Sequence, residues 1–273
     1  MNPKALLEQH GLSPRKSLGQ NFLHDPNALE KIVATADLMP NDTVVEIGPG
    51  TGALTEYLAR AARHVITIEL DQRLRPVLEQ TLAPYPNVAI IWDDVLNVDL
   101  LQVVGPKDFV VVANVPYYIT SQILRHVLDN YRRPRRVVMT VQLEVAERVT
   151  ARVGDMSLLA VSVQFFGKVS LVSKLNPAVF WPRPDVDSAL LRIDTYDKPP
   201  VDVPSSEMFF RVVRAGFSQK RKQLKNALSG GLAIKSDAAS ALLEAAGIDV
   251  KRRAETLSLE EWAALTRAYA ASK

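Results

Sequence analysis

Four short stretches combine side chains that could bind or transform a ligand. The first is Glu46-Ile47-Gly48-Pro49-Gly50-Thr51-Gly52. Glycines where a strand gives way to a helix let the backbone approach a ligand closely. The G-P-G-T-G spacing departs from G-x-G-x-x-G, and Pro49 removes a backbone N–H donor. Both features argue against a pyrophosphate cradle and hence against NAD. A plain tight β–α turn is the alternative. The second is Glu69, 21 residues after Gly48 at the end of the next apolar run. An acid there can accept both hydroxyls of a ribose, with a surface carboxylate as the competing reading. Together these two suit an adenosine without phosphates. The third, Asp93-Asp94, can accept from an adenine exocyclic amine, one of the two acids serving as a cap. The fourth is Asn114-Val115-Pro116-Tyr117. A side-chain carbonyl, a backbone restricted before proline and an aromatic ring converge there. Such a turn can hold a planar amine, with Asn and a backbone C=O accepting its two N–H groups while Tyr stacks; a turn with a packed Tyr is the alternative.

These residues must sit on a common frame. Apolar runs at 43–49, 64–70, 87–94, 107–114 and 135–142 read as buried strands, and 51–62, 71–83 and 119–131 read as helices. Pro76 should kink or divide the second of these. Strands alternating with such helices imply βαβ units and a parallel, doubly wound α/β sheet. Runs at 168–175 and 188–196 lie close enough to pair as an antiparallel edge. A proline-bearing stretch at 195–206 reads as a linker, and 207–216, 219–229, 236–246 and 258–271 are helical in pattern. The expected division is 1–200, an α/β domain, and 201–273, a small all-helical domain.

The chain has 273 residues, no cysteine and a formal charge of +3. Zero Cys excludes a disulfide scaffold, a thiolate zinc site, an iron–sulfur cluster and a Cys nucleophile. Four scattered His residues carry no metal-ligand spacing, so no metal is expected. No apolar run suits a signal peptide or a membrane span, so a cytoplasmic protein without membrane contact is expected. Residues 205–273 carry a net +5, and Arg132, Arg133, Arg135 and Arg136 form a second basic cluster. A weakly charged body with basic patches suits a nucleic-acid partner.

EIGPGTGALT (46–55), Glu69, Asp94 and NVPYYIT (114–120) together resemble the class I S-adenosylmethionine-dependent methyltransferases, specifically those acting on an adenine N6 amine. KSLGQNFL (16–23), PAVFWPRPDVDSALLRI (177–193), FSQKRKQLKNAL (217–228) and RRAETLSLEEWAAL (252–265) resemble segments of the ribosomal RNA adenine dimethylases, in particular their small-subunit branch. The resemblance spans roughly residues 11–270. It implies a Rossmann-like catalytic domain and a helical RNA-binding domain. The implied reaction is dimethylation of two adjacent adenosines in the 3′-terminal hairpin loop of small-subunit ribosomal RNA. The implied setting is the pre-30S subunit, with the protein acting as a monomer. Carried over by position, Asn21, Leu23, Gly48, Gly50, Glu69, Asp94 and Asn114 would line the S-adenosylmethionine site. Asn114 and Tyr117 would be catalytic, with Tyr117, Phe180 or Phe22 stacking on the base. Arg221, Lys222, Lys225, Arg133 and Arg136 would bind RNA. Leu143 stands where a Lys is expected, which bears on a substrate contact rather than the chemistry. An Erm-type methylase of large-subunit RNA and a non-catalytic ribosome-assembly factor are the alternatives.

Overall fold

The computed structural model describes residues 2–130, 132–219 and 221–273. Tyr131, the last residue of the expected 119–131 helix, lies outside them. Seven strands form one sheet: β1 (Thr43–Ile47), β2 (His64–Glu69), β3 (Val88–Trp92), β4 (Phe109–Asn114), β5 (Arg136–Gln142), β6 (Gly167–Leu175) and β7 (Ser188–Thr195). Their order is β3-β2-β1-β4-β5-β7-β6. The first five run parallel, and β7 joins β5 antiparallel with Arg136 opposite Asp194 and Gln142 opposite Ser188. Every residue of β1 is buried, as expected of a parallel strand covered on both faces. Val44, Val65, Val110, Val112 and Val138 pack with the helices Pro26–Ala36 and Ala53–Ala61.

The 71–83 segment is divided rather than kinked near Pro76. A 3₁₀ turn at Gln72–Leu74 absorbs the first residues of the segment, and Pro76 falls in the first turn of the helix Arg75–Leu82, where its missing N–H costs nothing. The strand order reverses between β1 and β4. Sheets of this kind bind ligands outside the carboxyl ends of strands at that point, and Gly48, Glu69, Asp94 and Asn114 all lie at such ends.

The chain forms two compact units, Met1–Ala146 with Lys168–Thr195, and Glu147–Gly167 with Tyr196–Lys273. The helical unit takes in 147–167 as well as the chain from Tyr196 onward. The reason lies in its core: Phe165 stacks on Phe209 with centroids 4.3 Å apart and meets Phe210 edge-on at 5.1 Å. The remaining helices of this unit are Ser206–Gly216, Leu224–Leu232, Ser236–Ala245 and Leu259–Ala271. The expected 219–229 helix starts five residues late, after an exposed turn holding Arg221 and Lys222. In the RRAETLSLEEW segment Arg252 pairs with Glu261, and Ser258 and Glu261 close a capping box on the last helix. No helix among the described residues is long and apolar enough to cross a membrane.

Candidate active site

An open cavity lies over the carboxyl ends of β1, β2 and β4, reached from one side by the turn at Leu18–Leu23. Its floor is the glycine turn after β1. Gly48, Gly50 and Gly52 have φ of 73°, 59° and 86°, a region that side chains disfavour. Space is as limiting as torsion. A Cβ on Gly48 would sit 3.3 Å from the Asn114 carbonyl, and one on Gly50 would sit 2.8 Å from the Phe22 ring.

Two acids border this turn. Glu69 Oε2 accepts the Gly50 N–H at 3.2 Å and Oε1 accepts the Asp71 N–H at 2.7 Å. Only 7% of Glu69 is exposed, and burial lifts its pKa to about 7 against those hydrogen bonds. Glu46, inside β1, is more deeply enclosed. Its Oε2 accepts from Thr55 Oγ1 at 2.6 Å, and its Oε1 is buried with no partner. Burial lifts this carboxyl to about 8, with Thr55 opposing and Glu69 adding. Glu46 was not assigned a role from sequence, although an acid inside the buried run TVVEI was the available signal. Asp94 lines the cavity while its Oδ1 caps a 3₁₀ turn by accepting the Leu96 N–H at 2.9 Å. Asp93 is exposed.

At the end of β4 the Asn114 amide is held from two sides. Its Oδ1 accepts from Thr140 Oγ1 at 2.5 Å, and its Nδ2 donates to the Asn21 carbonyl at 3.3 Å. The Tyr117 hydroxyl lies 2.5 Å from Ser188 Oγ. Burial raises the Tyr117 pKa, with the Ser188 hydrogen bond opposing. Thr140 and Ser188 are 1% and 0% exposed and sit on neighbouring strands β5 and β7. Neither is identifiable from local spacing, since each lies 26 or more residues from its partner.

Gly48, Gly50, Glu69, Asp94, Asn114, Tyr117, Asn21, Leu23 and Phe22 therefore line one cavity. Three expectations need correction. Phe180 is buried in the core beneath the sheet and does not line the cavity, so it offers no stacking face there. Arg136 is buried, paired with Asp194 at 2.6 Å and Asp37 at 2.9 Å, because β7 sets Asp194 directly opposite it. Arg133 is half-buried and donates to the Leu128 carbonyl at 2.9 Å, closing a helix end rather than facing RNA. Phe22 does line the cavity but is packed on Gly50 and stacked with Trp181. In the helical unit Arg221 and Lys222 are exposed and Lys225 is half-buried. Leu143 opens a short helix, its N–H donating to the Asp187 carbonyl at 2.9 Å.

A profile of the family described as ribosomal RNA adenine dimethylase matches residues 11–270. The chain belongs to the ribosomal RNA adenine dimethylase family. It is 46% identical over 268 residues to ribosomal RNA small subunit methyltransferase A of Dehalococcoides mccartyi strain CBDB1, covering 98% of this chain and 92% of that protein. It is 44% identical over 273 residues to the protein of the same name from Lysinibacillus sphaericus, covering 96% and 93%. Among solved structures it resembles the 23S rRNA methyltransferase ErmE, at 30% identity and a TM-score of 0.71 over 91% of this chain and 99% of that one. It also resembles a dimethyladenosine transferase from Plasmodium falciparum, at 26% identity and a TM-score of 0.76 over 89% and 95%. As a dimethylase of this family it is a methyltransferase whose methyl donor is S-adenosylmethionine. The cavity suits that donor. Glycines that exclude side chains leave room for it, Glu69 keeps unused lone pairs at the turn, and the unpartnered Glu46 Oε1 offers an acceptor for a cation.

Proposed function

We propose that this protein dimethylates N6 of two adjacent adenosines in the 3′-terminal hairpin loop of small-subunit (16S) ribosomal RNA, acting in the cytoplasm as a monomer on the pre-30S particle. The observation that carries the reading is the Asn114 amide, fixed at the end of β4 beside the glycine turn and in one cavity with Glu69. The small-subunit target rests on the names of relatives 44–46% identical over nearly the whole chain. Asn114 and Tyr117 act on the base, and Glu46, Gly48, Gly50, Glu69 and Asp94 hold the donor with Asn21 and Leu23.

S-adenosylmethionine, when bound, supplies a methyl group on a sulfonium that is open to in-line attack. The chain's task is to make a poor nucleophile effective. The N6 lone pair of adenine is delocalised into the ring. An acceptor that draws the N6–H bonds out of the ring plane favours a pyramidal nitrogen and returns the lone pair to it. The Asn114 amide oxygen has two acceptor positions, and Thr140 takes one. The second is left for an N6–H, with a backbone carbonyl of the Asn114–Tyr117 turn as the other acceptor. Because Thr140 and Asn21 hold the amide from both ends, it needs no reorganisation when the amine arrives. Tyr117, tethered by Ser188, presents its ring to the base. The target adenine first leaves its stack, which costs less in a loop than in a duplex.

Methyl transfer from labelled cofactor to unmethylated small and large subunits, with the modified nucleotide mapped, tests the reading. Labelling of the large subunit alone would favour the Erm-type alternative, to which the likeness to ErmE points. No labelling of either would overturn the reading of the substrate. Within the site, Asn114→Ala should slow single-turnover methylation about 10²–10³-fold, the scale for losing one preorganised polar contact. Asn114→Asp, which still accepts from N6–H, should retain activity that Ala loses. A near-parental rate for Asn114→Ala at saturating cofactor would reduce the turn to a structural one.

A further inference from the structure

Tyr118 is the most exposed large apolar side chain among the described residues, at 63%, and no other aromatic ring is comparably exposed. It stands at the cavity next to Tyr117, in the 3₁₀ turn Tyr117–Ile119 that follows Asn114. Its hydroxyl has no hydrogen-bond partner among the described residues, so no polar tether accounts for its position. Packing does. The ring leans along the turn at Gly19, where an added Cβ would lie 3.5 Å from Tyr118 Cε1 and 3.7 Å from Cδ1. Gly19 itself has φ +57°, and an added Cβ would lie 3.1 Å from Pro116 Cβ, so backbone torsion and Pro116 favour glycine there, with the ring at ordinary contact distance.

The turn beneath the ring is braced and cationic. Gly19 N–H donates to the Lys16 carbonyl at 2.9 Å, and the Arg15 N–H donates to Gln20 Oε1 at 2.8 Å. Gln20 Nε2 in turn donates to the buried Asp71 at 2.9 Å. Arg15 and Lys16 are exposed and have no ion-pair partner among the described residues. A held aromatic face with two free cations beside it is the combination that binds single-stranded nucleic acid, the ring taking a base and the cations its phosphates.

We propose that Tyr118, with Arg15 and Lys16, forms a second base subsite at the cavity mouth that stacks an unpaired nucleotide neighbouring the adenine held by Asn114 and Tyr117. The subsite rests on the RNA-methylating reading above. It requires no hydrogen-bond code, so it accepts any unpaired base. It accounts for an exposed ring that the reaction at N6 does not use. A loop nucleotide docked there keeps the strand from retracting while its neighbour occupies the cavity.

The test uses the full-length protein, labelled S-adenosylmethionine and unmethylated small subunits. Tyr118→Leu keeps apolar bulk and loses the aromatic face, and it should raise the KM for the particle roughly tenfold, the scale of losing one stacked base. Tyr118→Phe should stay within about twofold of the parent. Calorimetric affinity for S-adenosylmethionine and the thermal unfolding midpoint should match the parent in both. Arg15→Ala with Lys16→Ala should flatten the salt dependence of particle binding by up to about two phosphate contacts' worth of slope. Equal KM values for Leu, Phe and parent would overturn the subsite while leaving the methylation reading intact. A tenfold rise shared by Leu and Phe would also overturn it, since the hydroxyl and not the face would then matter. Failure of the parent to methylate small subunits would remove the function reading, and the subsite with it.

Discussion

Glu46 should make this fold less stable as pH rises, and replacing it with glutamine should remove that dependence. The carboxyl is wholly enclosed on β1, with one oxygen bonded to Thr55 and the other unpartnered. Its pKa goes from 4.5 to about 8, chiefly through burial. In the unfolded chain it titrates near the ordinary value. Between those limits the folded state holds a proton that the unfolded state has released, so stability is highest below about pH 4.5 and falls until about pH 8. Each pH unit in that window costs about 1.4 kcal/mol. Over about 3.5 units the loss approaches 5 kcal/mol, a large part of what a domain this size has to lose. Urea unfolding of parent and Glu46→Gln at a series of pH values from about 5 to 8.5 measures it. Their difference cancels every other titrating group apart from Glu69, whose window ends lower, at about 7. From about pH 5 to 8 their difference should change steadily, and within that series it should be constant only above about pH 8. Where it changes, the glutamine variant should gain about 1.4 kcal/mol on the parent per unit. Parallel stability curves throughout would refute the argument, because they would mean that Glu46 ionises freely inside the sheet. The same proton links to the cofactor. A bound cation favours the carboxylate, so S-adenosylmethionine affinity should rise from pH 6 to 8 in the parent, with proton release in calorimetry, and more weakly in Glu46→Gln.

Two further outcomes are expected. Thr140→Val removes the donor to Asn114 Oδ1 at nearly constant volume; it should lower the single-turnover rate about tenfold while cofactor affinity holds, and Thr140→Ser should restore the rate. Unchanged rates in the valine variant would show that Asn114 is held by its Asn21 contact alone. Arg221→Ala with Lys222→Ala should weaken RNA binding and lower the salt slope by up to about two, measured by filter binding at several ionic strengths, with cofactor affinity unchanged. An unaltered slope would make that exposed turn an ordinary solvated face.

The parallel strands were legible because each is a continuous apolar run of β-branched residues, and a strand buried on both faces needs no alternation. Gly48, Glu69, Asp94 and Asn114 each lie at or just past the end of such a run, and the topology brings those ends to one cavity. Local spacing failed where the deciding contact was remote. Arg133 and Arg136 count as positive charge in a composition, but the fold spends one on a helix-end carbonyl and the other on Asp37 and Asp194. Phe180 belongs to a segment that resembles the family's, yet it faces the core next to Leu23, its partner in a two-residue strand pair. The helix Leu158–Phe166 is apolar enough to suit either unit by composition, and only the stacking of Phe165 on Phe209, 44 residues later, assigns it.

The placement of Thr140 and Ser188 shows what the antiparallel entry of β7 against β5 provides. A loop could carry an Asn and a Tyr to the cavity, but it would hold them loosely. Rates that depend on a pyramidalising amine tolerate little misplacement. β5 runs parallel to β4, so Thr140 comes to rest beside Asn114 in register. β7 runs antiparallel, so its first residue, Ser188, lies at the carboxyl end of β5, opposite Gln142 and within reach of Tyr117. A parallel strand in that place would bring its last residues there, on the way into a helix. The antiparallel entry instead puts a small hydroxyl at the start of a strand whose next three residues, Ala189, Leu190 and Leu191, are wholly buried. Both tethers are thus fixed by the sheet's own ladder, and the Asn114–Tyr117 turn inherits the rigidity of the core it leaves.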